Sequence, residues 1–222
     1  MNEEAPIIEV FKPLHREFNA EFLLHLPSDT AYGNMTLAFL EIISRFDCIN
    51  ELIISLFGQF YEMRKPVANF HERSVVDYYR QKFYTEQIFY WLRKSSDELI
   101  AMMHIFHYFK QHGKYPTKLK ISSIAHLIYD EGSLGGSFNK HLQVLNSLNE
   151  VSNGYKHSIN NSQANAYQGR DYPVAFAYTL AHNDLKKEAK FHAIDIRVFL
   201  KEYSLFLEDA KSYLAEFETR NP

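Results

Sequence analysis

Apolar residues recur at steps of three and four along an uninterrupted stretch from Asn34 to Met63. This spacing places them on one face of a helix. Lys65-Pro66 ends the pattern, because proline lacks an amide hydrogen and disfavours a helical residue before it. A chain with such a helix must pack other elements against its apolar face. That face comprises Phe39, Ile42, Ile43, Phe46, Ile49, Ile53, Leu56, Phe57 and Phe60.

A second long helix is predicted over 74–111, where neither proline nor glycine occurs before Gly113 and Pro116. Its aromatic residues spread around much of the circumference, so this helix is expected to be central or to touch a partner chain. A short helix over 122–129, a glycine-rich loop (EGSLGGS) and a further helix over 138–160 follow.

Near the C-terminus the residue pattern changes from helical spacing to a two-residue repeat. Large and small residues alternate over 174–181, which is typical of a strand, and 189–194 returns as a second strand of a β-hairpin. Apolar residues at helical spacing over 195–217 predict a last helix. The predicted fold is mainly α, a bundle of long antiparallel helices with a small C-terminal β-hairpin and a final helix.

The pattern contains no internal repeat and no clear linker, so it predicts a single domain over 1–222. Residues 1–32 hold three of the seven prolines and no sustained period, and they are expected to form an arm over the core. The helical core is predicted over 34–160. The hairpin and the C-terminal helix are predicted over 172–219.

The formal net charge of −3 gives the chain no general basic field, which argues against extended, sequence-independent binding of duplex nucleic acid. No basic segment followed by an apolar run opens the sequence, and the most apolar stretch, 36–60, carries four charged residues. We therefore expect a cytoplasmic protein without membrane contact. The single cysteine, Cys48, lies in an amphipathic segment and is predicted to fill the core.

The helix over 138–160 ends in SNGYKHS, where a glycine, a lysine and a histidine follow asparagines at helical spacing. At about 100° per residue, Leu145, Leu148, Ser152, Tyr155 and Ile159 form the packing face. A neighbouring polar stripe, which we call the asparagine stripe, holds Asn146, Asn149, Asn153, Lys156, His157 and Asn160.

Asparagine and glycine are poor helix formers, so the asparagine stripe should bring a compensating gain. In one interpretation the amides bond to a neighbouring loop, while Lys156 and His157 lie in solvent near the helix C-terminus. In the other, the stripe lines a polar cleft. There Lys156 would bind an anion, and His157 would donate or accept a proton near neutral pH.

SNGYKH resembles the R-x4-H motif, often written RN-x3-H, of the HEPN superfamily of helical domains. The resemblance covers about 34–160 and implies a helical dimer with a composite cleft that cleaves RNA without a metal, the 2′-hydroxyl attacking the adjacent phosphate. It implies that His157 is the general acid and base and that Asn153 orients the substrate or the histidine, while Lys156 or a cation of a partner chain would stabilise the phosphate. The motif arginine is replaced by Ser152, which cannot bind a phosphate as a guanidinium does.

A segment without acidic residues runs from Leu99 to Tyr129 and interleaves lysines with aromatic residues and histidines. This composition is typical of a surface that binds single-stranded nucleic acid, although a solvated loop that balances acidic helices has the same appearance. The lysines are Lys110, Lys114, Lys118 and Lys120. With the outer asparagines, Asn146, Asn149 and Asn160, they are the predicted RNA contacts.

No Glu-x-x-His pair, HExxH motif or nucleotide-binding glycine loop occurs, so the sequence predicts neither a metal nor a cofactor. Two functions remain open. The first is an RNA-acting domain, an endoribonuclease or a degenerate RNA-binding relative, in a toxin–antitoxin or defence setting with an antitoxin-type protein partner. The second is a non-enzymatic helical module for protein interaction or self-association.

Overall fold

The computed structural model describes residues 4–11, 24–65, 75–130, 132–157, 170–180, 184 and 186–218. Within them the chain is mainly helical, with a two-stranded antiparallel hairpin before the last helix, as the sequence predicts. The elements are α1 (Met35–Arg64), α2 (Val75–His112), α3 (Ile124–Tyr129), α4 (Leu142–His157), β1 (Val174–Thr179), β2 (Lys190–Asp195) and α5 (Ile196–Ala215). Two 3₁₀ turns, Ser133–Gly136 and Asn139–His141, precede α4.

Helix α1 begins at Asn34, whose side chain accepts hydrogen bonds from the amides of Thr36 and Leu37 and so caps the helix. Every residue of its predicted apolar face is buried. The prediction that Cys48 fills the core is wrong. Cys48 is exposed, because it shares the outer, polar face of α1 with Ser44 and Glu51.

Helix α2 lies antiparallel to α1. Arg45 of α1 bonds to Glu98 of α2 at 2.6 Å, and Gln59 of α1 bonds to Asp77 of α2 at 3.4 Å. The two helices therefore run in opposite directions along their contact. Helix α2 also contacts α3, α4 and α5 and is therefore the central element that its sequence predicts. Inside this packing the Ser96 and Tyr203 hydroxyls share a buried hydrogen bond of 2.8 Å, which ties α2 to α5.

The described parts of the N-terminal segment lie on the core. Ile8 is buried, and the side chain of Asn50 on α1 brackets its backbone with two hydrogen bonds of 2.8 and 2.9 Å. Leu26 is also buried, and the Tyr32 hydroxyl donates to the carbonyl of Pro116 at 2.7 Å. These contacts tie the segment to α1 and to the chain that follows α2.

Strand β1 of the hairpin packs with its small residues inward. Ala175 and Ala177 are fully buried against α4, whereas Phe176 and Tyr178 lie on the opposite face of β1. The close contact needs Gly154, since a Cβ there would lie 2.8 Å from the Tyr178 carbonyl oxygen. The glycine of SNGYKHS is thus explained by packing. The helix is described only to His157, so its predicted end near Asn160 lies outside the described residues.

We predict that Gly154→Ala destabilises the protein by about 1–3 kcal/mol, because the added methyl group would collide with the backbone of β1. Gly58→Ala is the matched control. Gly58 lies inside α1, and no atom lies within 4 Å of the point that an alanine methyl group would occupy, so alanine there should stabilise the helix by roughly 0.5–1 kcal/mol. Urea unfolding of both variants measures the two effects. Equal stabilities would contradict the close packing of α4 on β1.

Candidate functional site

An open cleft of about 290 Å³ lies between α2 and α4. The two helices run antiparallel, because the Phe89 ring meets Tyr155 edge to face while Arg93 bonds to Asn149. One side of each helix therefore faces the cleft. Its lining residues are Tyr90, Arg93, Lys94, Asp97 and Glu98 from α2 and Ser152, Asn153 and Lys156 from α4.

Arg93 is the most firmly held side chain in this cleft. Its Nε donates to both carboxylate oxygens of Asp97 at 3.0 and 3.1 Å, one turn along the helix. Its Nη1 donates to Oδ1 of Asn149 at 2.5 Å and to Oγ of Ser152 at 3.4 Å. No acceptor for Nη2 lies among the described residues, and this nitrogen is not sealed from solvent. The guanidinium is thus oriented by protein groups and keeps one nitrogen for a ligand.

Asn149 lies beneath the cleft rather than in it. The side chain is buried, and its Oδ1 accepts from Arg93 and, at 3.3 Å, from Nδ2 of Asn153. The residue that the sequence predicts as an RNA contact therefore positions two cleft residues. Asn146, one turn earlier, is partly exposed and does not line the cleft. The predicted contact Asn160 lies outside the described residues.

The cleft is locally positive although the chain carries a net charge of −3. Three lining side chains are cationic and two are anionic. Burial raises the pKa of Asp97, against the lowering effects of the Ile124 amide and of Arg93. Burial also acts to raise the pKa of Glu98, but the hydrogen bonds from Arg45 and Lys94 outweigh it and lower that pKa. Both carboxylates thus have cationic partners.

Lys156 supplies the cleft with a cation that has no carboxylate partner among the described residues. It is exposed and stands beside Asn153 on the α4 wall. Of the three sequence-predicted catalytic residues, the structure therefore brings Asn153 and Lys156 into the cleft.

His157 lies beside the cleft and does not line it. It is exposed at the last described position of α4, about 100° around the helix from Lys156. It is seven residues from Glu150 and so lies on the same face of α4. Glu150 binds Lys190 of β2 at 2.6 and 2.8 Å, which shows that this face is turned towards the hairpin.

The predicted basic segment has one end near the cleft. Lys110 lies about 25 Å along α2 from Arg93 and is bound to Glu216 at 2.8 Å. Lys114, Lys118 and Lys120 are exposed in the chain between α2 and α3. That chain returns along α2, since the amide of Ile124 donates to Oδ1 of Asp97 at 2.7 Å.

Arg93 was not evident as a site residue from the sequence. Arg93 and Asp97 are four residues apart, a spacing that predicts an ordinary surface ion pair on a helix. The signal that sets Arg93 apart is its contact with Asn149 and Ser152, on a helix more than 50 residues later. Only the antiparallel packing of α2 and α4 reveals that contact.

Comparisons with protein-family models, with curated proteins and with solved structures found no match. Within the described residues, no helix is both long enough and apolar enough to span a membrane. The same part of the chain contains no group of three or more His, Cys, Asp or Glu side chains arranged to hold a metal ion.

We predict that Asn149→Ala lowers the free energy of unfolding by about 1–3 kcal/mol, because Nη1 of the partly buried Arg93 loses its nearest acceptor. Asn146→Ala is the control on the same helix. Asn146 is partly exposed, so its replacement should change stability by no more than about 0.5 kcal/mol. Chemical unfolding measures both, and equal losses would show that Asn149 does not anchor Arg93.

Proposed function

We propose that this protein acts on RNA through the cleft between α2 and α4, as a metal-independent endoribonuclease or as a relative that binds RNA without cleaving it. The observation that supports this function is the position of Arg93. The motif that SNGYKH resembles has an arginine where this chain has Ser152. A guanidinium nevertheless lies beside that position, donating to the Ser152 hydroxyl at 3.4 Å, and it comes from α2.

The cleft groups suit a phosphodiester. A guanidinium with a free nitrogen and a nearby ammonium group can both donate to phosphate oxygens, and charge-assisted bonds of this kind are stronger than neutral ones. Arg93 and Lys156 have these roles in the proposal. Asn153, whose Nδ2 is bound to Asn149, would present its amide oxygen to the substrate. The two cations face one another from different helices and would hold the phosphate between them.

The proposed reaction needs no other reactant than the RNA. The 2′-hydroxyl oxygen forms a bond to the adjacent phosphorus while its proton passes to a base, and the bond from phosphorus to the 5′-oxygen breaks. The leaving 5′-oxygen takes up a proton, which leaves a 2′,3′-cyclic phosphate and a 5′-hydroxyl. His157 is the proposed proton carrier, since an imidazole changes charge near neutral pH. From its exposed position it would reach the substrate at the open edge of the cleft.

The first half of α2 favours a homodimer and also supports the second candidate function, a self-association module. Val76, Tyr79, Phe83 and Tyr90 are exposed at steps of three, four and seven residues, the spacing of one helix face. Tyr90 also lines the cleft. Pairing of two copies through this face, which we call the α2 stripe, would therefore build a protein wall beside each cleft.

We predict that the purified protein cleaves tRNA or total RNA in EDTA and leaves 2′,3′-cyclic phosphate ends. His157→Ala should slow cleavage by about 10²–10⁴-fold, the usual contribution of a general acid or base. Lys156→Ala and Arg93→Lys should also slow it, because each alters a phosphate contact. Lys201→Ala replaces an exposed residue of α5, outside the cleft and the predicted basic segment, and should cleave like the parent protein. Gel analysis and end labelling measure these outcomes.

Two results of this assay would change the assignment. RNA that binds tightly but stays intact, with binding weakened by Lys156→Ala and Arg93→Lys, would support the non-cleaving relative. RNA that is neither cleaved nor bound at high protein concentration would overturn the RNA function and leave self-association as the better candidate.

We predict that the protein is a dimer whose dissociation is promoted by Phe83→Glu, because a carboxylate in the α2 stripe would have to be buried at the interface. Tyr129→Glu is the matched control, since Tyr129 is exposed outside this stripe. Sedimentation equilibrium gives the mass of each variant. A monomeric parent protein, or a Phe83→Glu variant that stays dimeric, would show that the α2 stripe is not a dimer contact.

A further inference from the structure

The hairpin exposes the side chains that a sheet normally hides. On β1 the alanines face α4 and are fully buried, whereas Phe176 and Tyr178 face outward and are partly exposed. Opposite them on β2, Phe191 is 49% exposed. Packing alone would favour the reverse arrangement, since large aromatic residues gain most from burial. Burial in the core therefore does not explain why the aromatic residues of the hairpin face outward.

The outward rings form an ordered surface. Phe176 and Phe191 are stacked across the two strands, with centroids 5.4 Å apart and planes 14° from parallel. Tyr178 lies against the same Phe191 ring, with a centroid distance of 4.9 Å. Of the described elements, only α4 and α5 contact the hairpin in a substantial way, and β1 presents its alanine face to α4. Of these three rings, which we call the aromatic face, Phe191 is 49% exposed and Phe176 and Tyr178 are partly exposed.

Cationic side chains stand at the end of this surface. Lys186 and Lys187 follow β1 in the described turn, are exposed and have no carboxylate partner among the described residues. The carboxylate of Asp184 accepts the amide of Lys186 at 3.0 Å, and Glu188 is exposed in the same turn. Stacked aromatic rings beside free lysines are the combination that binds bases and phosphates of single strands.

The aromatic face is also joined to the proposed cleft. The backbone of Tyr178 lies against Gly154, two residues before Lys156 and three before His157. Glu150, on the His157 side of α4, is bound to Lys190 at the start of β2. The hairpin and His157 therefore lie on the same side of α4.

We propose that the aromatic face of the hairpin, Phe176, Tyr178 and Phe191, is a stacking surface for the unpaired bases of single-stranded RNA, with Lys186 and Lys187 contacting the phosphates. The proposal rests on the RNA function of the α2–α4 cleft and assigns it a substrate class. Base stacking is sequence-tolerant, because every base has a π face. The surface would thus select single strands over duplexes with little preference for sequence.

The test is binding of a short fluorescent 2′-O-methyl RNA, which lacks the attacking hydroxyl and cannot be cleaved. Phe191→Leu and Tyr178→Leu should each raise Kd by about 5-fold to 150-fold, since a stacked base contributes about 1–3 kcal/mol. Phe191→Trp should retain binding, because indole also stacks. Leu205→Ala, which replaces a Leu that is 51% exposed on α5, should bind like the parent protein. A duplex of the same sequence should bind more weakly and should not respond to Phe191→Leu.

The outcomes separate this proposal from the cleft function. If the parent protein binds the single strand and the two leucine variants bind it equally well, the stacking surface is wrong while the RNA function stands. If Phe191→Leu leaves RNA binding unchanged but dissociates a dimer, the face is a protein contact and the proposal is overturned. Absence of RNA binding by the parent protein would overturn both. Thermal melting of Phe191→Leu and Phe191→Trp verifies that each variant is folded.

Discussion

The close approach of β1 to α4 at Gly154 determines how the C-terminal third of the chain is arranged. With no Cβ at this position, the Tyr178 carbonyl can lie directly on the helix, and the small side chains of Ala177 and Thr179 pack around the same point. The larger residues of β1 must then point outward. One absent methyl group therefore accounts for both the buried alanine face and the exposed aromatic face. It also fixes the hairpin beside the last turn of α4, next to Lys156 and His157.

Helix α4 holds its neighbours with polar side chains on two sides. On one side Asn149 accepts from Arg93 of α2, and on the other Glu150 binds Lys190 of β2. Asn149 belongs to the asparagine stripe, and Glu150 lies beside the stripe. Buried amides cost free energy unless they are hydrogen-bonded, and Asn149 meets this condition with a charged donor. Among the described stripe residues, the poor helix propensity of asparagine is thus offset at the position where the amide is buried.

Periodicity was sufficient to predict the long helices, the hairpin and the final helix, because each depends on local spacing of apolar residues. The face of the hairpin that is buried was not predictable in this way. The two-residue period of a strand places Ala177 and Tyr178 on opposite faces, but it does not determine which of the two faces packs against the core. Likewise Asn153 and Lys156 could be assigned to a polar stripe from the sequence of α4 alone. Arg93 could not, because its contact with Ser152 depends on how two distant helices pack.

The proposed RNA function depends on a guanidinium that comes from α2 and lies beside Ser152. The electrostatic attraction between a phosphate and a cationic donor depends on the charge of the donor and on its distance. It does not depend on which helix carries the donor. Serine at position 152 leaves space and an oxygen that accepts from Arg93. Asp97 and Asn149 then fix the guanidinium, so little side-chain entropy remains to be lost when an anion binds. In the proposed function, Arg93 on α2 would take the role that an arginine on the histidine-bearing helix has in the motif that SNGYKH resembles.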